Sequence, residues 1–311
     1  MTPDDARGRI EALRAELGES DRALVEALGR RNRIVETIAA VKQQANATLR
    51  DREREREVLE HVEAAAREER LDPYFVARLF REIIDHSIRS QQARLLSGGL
   101  ENRDRAILVG YTGEEGALSH QAAQRHFSPW HAQTAYRAFP SFRDTLQAVR
   151  DRGIDYALVP IENTASGSIT EVYDLLAALD LSLVGEELAV QEGPGRHETR
   201  FIVAADEALE CDLRIGCKTS VMIVTRHEKG ALVSCLNALA ERGLNLTKIE
   251  SRPRPGSPWE YQFYVDFEGN RSDPRVQDAL RDLAARAFFL KVFGSYPART
   301  TADARVGQAR L

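Results

Sequence analysis

The chain has little cysteine. Cys211, Cys217 and Cys235 are the only three in 311 residues, and they form neither a disulfide framework nor a cysteine-based metal pattern. No apolar run approaches the ~20 residues that cross a bilayer. The opening Met-Thr-Pro-Asp-Asp lacks the basic flank and apolar core of a secretion signal. Membrane association and secretion are therefore not expected, and a reducing cytoplasm is the expected location. Excess positive charge is missing too: 43 Lys and Arg against 48 Asp and Glu leave a net charge of −5, which argues against a nucleic-acid partner. Arg50, Arg52, Arg54 and Arg56 alternate with Asp51, Glu53, Glu55 and Glu57, a pattern typical of a solvated helix face. Repeats and low-complexity tracts are absent. What is present, 43% hydrophobic and 29% charged residues, suits a globular protein long enough for two or three domains.

The first hundred residues carry helical periodicity. Counting by three and four from Ile10 gives Leu13, Leu17, Ser20, Leu24, Ala27, Arg31, Ile34, Ile38, Val41 and Ala45, a coiled-coil-like seam interrupted by an arginine. From Val76 the same count gives Phe80, Ile83, Ser87 and Gln91, an apolar face that turns polar. Helices are predicted over about 3–44, 50–68 and 73–95, the last started by Asp72 and Pro73. Burying an unpartnered charge costs several kcal/mol, so a bundle interior lined this way should hold an anionic, polar ligand. A helix of about 40 residues spans ~60 Å, more than two short helices can cover. A second copy of the chain is expected to complete the bundle as an intertwined dimer or higher homo-oligomer.

After a polar linker, 98–105, the texture changes. Strands are predicted at Ala106–Tyr111, Tyr156–Ile161 and Leu181–Val184, with helices at Leu118–Phe127, through Leu146 and Val149, and up to about Ala178. This βα alternation predicts a parallel sheet, short for a complete doubly wound domain, and Glu192-Gly193-Pro194-Gly195-Arg196 breaks it. From Lys218 the predicted order is strand 220–225, helix 230–242, strands 244–251 and 260–267, helix 273–286 and strand 288–294. That βαββαβ order is a ferredoxin-like module. The expected organisation is thus multidomain: an all-α domain at 1–97, the linker 98–105, an α/β lobe at 106–207, an α+β module at 215–300 and a disordered tail at 301–311.

Specific residues resemble the bifunctional chorismate mutase/prephenate dehydratase family. In the helical region the polar positions Arg14, Arg31, Lys42, Asp51, Arg54, Glu55, Ser87 and Gln91 match those of helical chorismate mutases in register. The resemblance implies a pericyclic rearrangement of chorismate to prephenate, which needs a cage for a dianion and no cofactor or metal. It implies that Lys42 and Gln91 donate hydrogen bonds to the breaking ether oxygen. Losing such a donor costs ~3–4 kcal/mol in analogous sites. Arg14 from the partner copy and Arg31, with Ser87, would grip the carboxylates. Glu55 and the backbone near Asp51 would hold the ring hydroxyl, supported by Arg54.

The lobe resembles the dehydratase domain through Gly110–His120, Val159–Ser168 and Glu198–Phe201. The resemblance implies dehydratase positions at Glu162, Asn163, Thr164, Thr199, Arg200 and Phe201, with Thr199 protonating the departing hydroxyl of prephenate. The family's dehydratase has two lobes and its site in the cleft between them. Here Val190 is followed nine residues later by Thr199, so a lobe on the order of 80 residues is absent. Glu114 and Leu118 also stand where the family has proline and an aromatic. A half-cleft cannot orient substrate or exclude water, so these residues are expected to be vestigial.

The last module resembles the ACT domain, which implies a phenylalanine effector held by Gly230-Ala231-Leu232-Val233 and Glu250-Ser251-Arg252-Pro253. Gly230 suits a helix N-terminus where backbone N–H groups can meet a carboxylate. The expectation is a phenylalanine-regulated chorismate mutase. Its rivals are a bifunctional enzyme releasing phenylpyruvate and a noncatalytic phenylalanine-sensing partner.

Overall fold

The computed structural model describes residues 3–45, 47–96, 106–129, 133–191, 195, 197–254, 256 and 260–301. The expected linker, all of the 192–196 breaker except Gly195, and the tail beyond Thr301 lie outside the described residues. The chain divides into two compact units, 1–49 and 50–311.

The first unit is built on α1 (Pro3–Gln44), one uninterrupted helix of 42 residues. No proline follows Pro3 to break its hydrogen-bond ladder. Its apolar seam is exposed along the chain: Leu13, Leu17, Leu24, Ile34 and Val41 each keep more than half of their surface open.

The second unit begins with α2 (Arg52–Glu68), whose N-cap Asp51 accepts a hydrogen bond from the Arg54 amide. Asp72 caps α3 (Pro73–Leu96) by accepting from the Tyr74 amide at 3.0 Å. A six-stranded sheet follows, made of β1 (Ile107–Thr112), β2 (Thr134–Phe139), β3 (Tyr156–Asn163), β4 (Gly167–Ser168), β5 (Ser182–Gln191) and β6 (His197–Ala205). Helices α4 (Leu118–Phe127), α5 (Phe142–Arg150) and α6 (Thr170–Ala178) connect them. The main order is β2-β1-β3-β6-β5, with β4 pairing β3.

The fully parallel sheet expected from the sequence is not what forms. β1 pairs β2 and β3 in parallel, whereas β6 runs antiparallel to both β3 and β5. The cause is the short path from Gln191 to His197. A parallel neighbour needs a crossover of a dozen residues or more, while a hairpin closes in a few. Edge strand β2 was missed by pattern reading because it alternates in burial and contains no apolar run. β5 continues beyond the predicted Val184 to Gln191, carrying Glu186 and Glu187 into the sheet.

The last module matches its expected order: β7 (Cys217–Val224), α7 (Ala231–Ala240), β8 (Leu246–Pro253), β9 (Tyr261–Glu268), α8 (Pro274–Arg286) and β10 (Phe289–Pro297). Its sheet runs β10-β7-β9-β8, all antiparallel. It shares a core with the lobe, where Met222, Tyr264, Phe293 and Tyr296 pack with Ile161, Leu183 and Ile202. At this seam β10 approaches β5 so closely that a Cβ on Gly294 would lie 2.3 Å from the Leu183 carbonyl oxygen. With φ at +154° as well, position 294 requires glycine.

Candidate functional site

On α1, Arg14 is exposed while Arg31 and Lys42 are half-buried. Burial lowers the pKa of Arg31, yet a guanidinium keeps its charge well above neutral pH. The Lys42 ammonium donates to the Leu49 carbonyl at 2.7 Å, which fixes the side chain at the end of the helix.

In the second unit, Asp51 caps α2. Glu55 accepts two hydrogen bonds from Arg50, Nε to Oε1 at 2.8 Å and Nη2 to Oε2 at 2.9 Å. Arg54 points to solvent and pairs with Glu57 at 2.8 Å. On α3, Ser87 is buried, its hydroxyl donating to the Ile83 carbonyl at 2.8 Å, and Gln91 is half-buried one turn later.

The dehydratase-like residues come together at the ends of β3 and β6. Registry places Asn163 opposite Thr199, and the Asn163 amide donates to Thr199 Oγ1 at 2.7 Å. Thr199 is only 6% exposed. Thr164 Oγ1 accepts from the Glu198 amide at 2.9 Å, while Phe201 is core. Arg200 Nε lies 2.6 Å from Glu162 Oε1 but off the axis of a hydrogen bond, so that contact is an ion pair. Its Nη1 donates to Asp266 at 2.8 Å and Glu186 at 3.2 Å.

The effector-like motifs have different surroundings. Gly230 caps α7 with φ +78°, and residues 225–233 line an open recess of about 450 Å³. Ala231 and Leu232 are half-buried and Val233 is exposed there. Glu250 accepts from the Ser168 hydroxyl at 2.6 Å, and Arg252 pairs with Asp174 at 2.7 Å. Ser251 and Pro253 are exposed between and beyond them. Lys248, on the same strand, bonds Glu162 and also donates to Ser168 at 3.2 Å. Strand β8 thus covers the polar end of β3.

Pattern reading missed a buried charge network. Glu186 and Glu187 are adjacent on β5 and fully buried. Glu186 accepts from Lys218 at 2.8 Å and Glu187 forms a two-point ion pair with Arg89 of α3. The available signal was two consecutive carboxylates in an otherwise apolar strand. Burial would raise the Glu187 carboxyl, but Arg89 and the His126 hydrogen bond outweigh it and hold it well below the usual range. Glu186 and Asp266 are lowered in the same way, against burial, by Lys218 and Arg200. Burial also lowers His126, keeping it neutral near pH 7.

These shifts make stability acid-sensitive. The unfolded chain takes up protons at these groups before the folded chain does, so stability is lost as the pH is lowered. His126 contributes from about pH 6.5 downward and the carboxyls from about pH 4.5. Urea midpoints should therefore decline steadily from pH 7 to pH 4 and faster below. A midpoint that holds constant down to pH 4 would refute this assignment.

The comparisons with known proteins bear on all three regions. The family model for type II chorismate mutase matches residues 13–92, that for prephenate dehydratase residues 109–191, and that for the ACT domain residues 219–285. The bifunctional chorismate mutase/prephenate dehydratase of Enterobacter agglomerans is 28% identical over 390 aligned positions, covering 99% of this chain and all of that one. The protein of the same description from Escherichia coli K12 is 27% identical, covering 92% of this chain and 95% of its own length. The crystal structure of prephenate dehydratase from Streptococcus mutans is 30% identical with a TM-score of 0.53, covering 61% of this chain and 98% of that one. The chain belongs to the bifunctional chorismate mutase/prephenate dehydratase family.

Proposed function

We propose that this protein is a chorismate mutase in which the dehydratase lobe no longer catalyses and the ACT domain binds phenylalanine as a feedback effector. The carrying observation is that the type II chorismate mutase match, residues 13–92, contains all eight polar residues expected to hold the substrate. On this reading Arg14, Arg31 and Ser87 bind the carboxylates of chorismate, and Lys42 and Gln91 stabilise the ether oxygen as its bond breaks. Asp51, Arg54 and Glu55 serve the ring hydroxyl. The reaction rests on conformational restraint and electrostatic preorganisation and needs no cofactor.

Loss of dehydration is supported by the short connection between β5 and β6 and by the state of Thr199. Its hydroxyl is buried and held by Asn163, and the nearby Glu162 is engaged by Arg200 and Lys248. A proton donor needs to reach its substrate within hydrogen-bond distance, and this one is closed in by its own lobe. The residues Glu162, Asn163, Thr164, Thr199, Arg200 and Phe201 are accordingly structural. Phenylalanine binding is assigned to Gly230–Val233, where the left-handed glycine opens α7 beside the recess, and to Glu250–Pro253. A homodimer is supported by the exposed apolar seam of α1, which a second copy would bury, and the cytoplasm is its proposed location. The proposed domain limits are 1–97, 106–207 and 215–300.

The relatives are described as bifunctional, which favours a second reading: a neighbouring subunit completes the cleft and phenylpyruvate is released. Incubation with chorismate, followed by acid and alkali treatment and ultraviolet absorbance, separates the two. Prephenate should accumulate, at a rate unchanged within about twofold in Thr199→Val. Phenylpyruvate formed by the wild type and abolished in Thr199→Val would establish the second reading.

A further inference from the structure

Glu186 and Glu187 are both 0% exposed, and successive side chains on a strand point to opposite faces. Glu187 reaches α3. Arg89 Nη2 donates to its Oε1 at 2.9 Å, Nη1 bonds its Oε2, and Arg89 Nε donates to Asp85 one turn earlier at 2.6 Å. Arg125 and His126 of α4 stand at 3.8 and 3.4 Å from the same carboxylate. Glu186 reaches the ACT domain: it accepts from Lys218 on β7 at 2.8 Å, and from the backbone amides of Arg299 and Thr300 at 2.6 and 3.0 Å.

Arg89 lies two residues from Ser87 and two from Gln91. At 100° per residue it projects from the back of the helix when those two project from the front. A planar two-point pair sets both position and rotation of what it holds. Resting on the proposed mutase reading, we propose that Glu187 is a positioning residue of the mutase reaction, holding α3 through Arg89. In the same proposal β5, with Glu186 beside it, is the link by which the ACT domain acts on that helix. The dehydratase lobe is then kept as a bracket. Its buried end strand β5 is gripped from one side by the helix that bears Ser87 and Gln91, and from the other by the domain that bears the effector motifs. The Arg299 guanidinium adds to the junction, its pKa lowered to about 10 by burial and by Arg89.

The test is initial-rate kinetics on chorismate, with and without phenylalanine, for the full-length wild type and three variants. Glu187→Gln should lower kcat about tenfold while KM changes less than threefold, because small misplacements of a reacting geometry are costly. Because Arg89 then keeps Asp85 alone of the two carboxylates it bonds, Arg89→Met/Glu187→Met is the companion variant. Removing both charges is often neutral for stability, yet it should show the same loss of kcat. Lys218→Met should keep kcat and KM within twofold and lose the response to phenylalanine. If the folded variants at Glu187 turn over like the wild type, the positioning role is wrong although the wild type is a mutase. If Lys218→Met responds in full, the link through β5 is wrong. A wild type that does not convert chorismate overturns the functional reading itself, and the positioning role with it.

Discussion

Replacing Lys42 with alanine should reduce turnover of chorismate by roughly 10²–10³-fold with little change in thermal stability, the scale seen when one donor is removed from a preorganised oxyanion site. The rearrangement separates charge onto the ether oxygen without proton transfer, so a fixed cation contributes chiefly at the transition state and the loss should fall on kcat. An ammonium carries three donors, and the Leu49 carbonyl accepts from one at 2.7 Å. That bond holds the stem and limits the rotamer entropy lost when substrate binds. Lys42→Arg should recover only part of the rate, because a planar fork cannot reproduce a point charge at the same place. Stopped-flow decay of chorismate absorbance measures both variants. A kcat within threefold of wild type for the alanine variant would remove Lys42 from the site.

Arg200→Met should destabilise the second unit by about 3–5 kcal/mol, the usual cost of removing one partner from a buried charge cluster. Arg200 is 3% exposed and meets Asp266, Glu186 and Glu162. Its loss leaves two buried carboxylates to share Lys218, which lies 2.8 Å from one and 3.8 Å from the other. Urea unfolding followed by circular dichroism should show a lower midpoint with an unchanged slope. Arg200 sits beside the threonine that the family resemblance marks for dehydration, and a residue retained for that chemistry alone would cost little stability when removed. A loss below about 1 kcal/mol would therefore argue that the lobe's polar residues are kept for something other than its architecture.

Much of the candidate site was legible locally. The polar interruptions at Arg31, Ser87 and Gln91 were visible because helical spacing defines a face, and a charge on an apolar face stands out. Gly230 was legible as a glycine at a helix N-terminus, whereas its left-handed φ came from the structure. The partner of Arg54 was not legible: matched by type and spacing, its guanidinium pairs with Glu57 at the surface. The segment Glu198–Phe201 was recognised as part of a family motif, but the direction of the strand β6 that carries it was not, because direction follows from the length of the connection and from partners distant in sequence.

The sequence by itself determined the three-region organisation, the helices, the order of the ACT module and the family, since all of these rest on spacing within one element or on residue types in a motif. Only the tertiary structure decided that β6 runs antiparallel, that the lobe and the ACT domain share one core, and which partners the buried carboxylates take. Arg89 and Glu187 lie 98 residues apart, and whether such a pair meets depends on strand register and helix packing. In a strand, a shift of one residue exchanges the two faces, so Glu186 and Glu187 acquired separate partners only when the sheet closed around them.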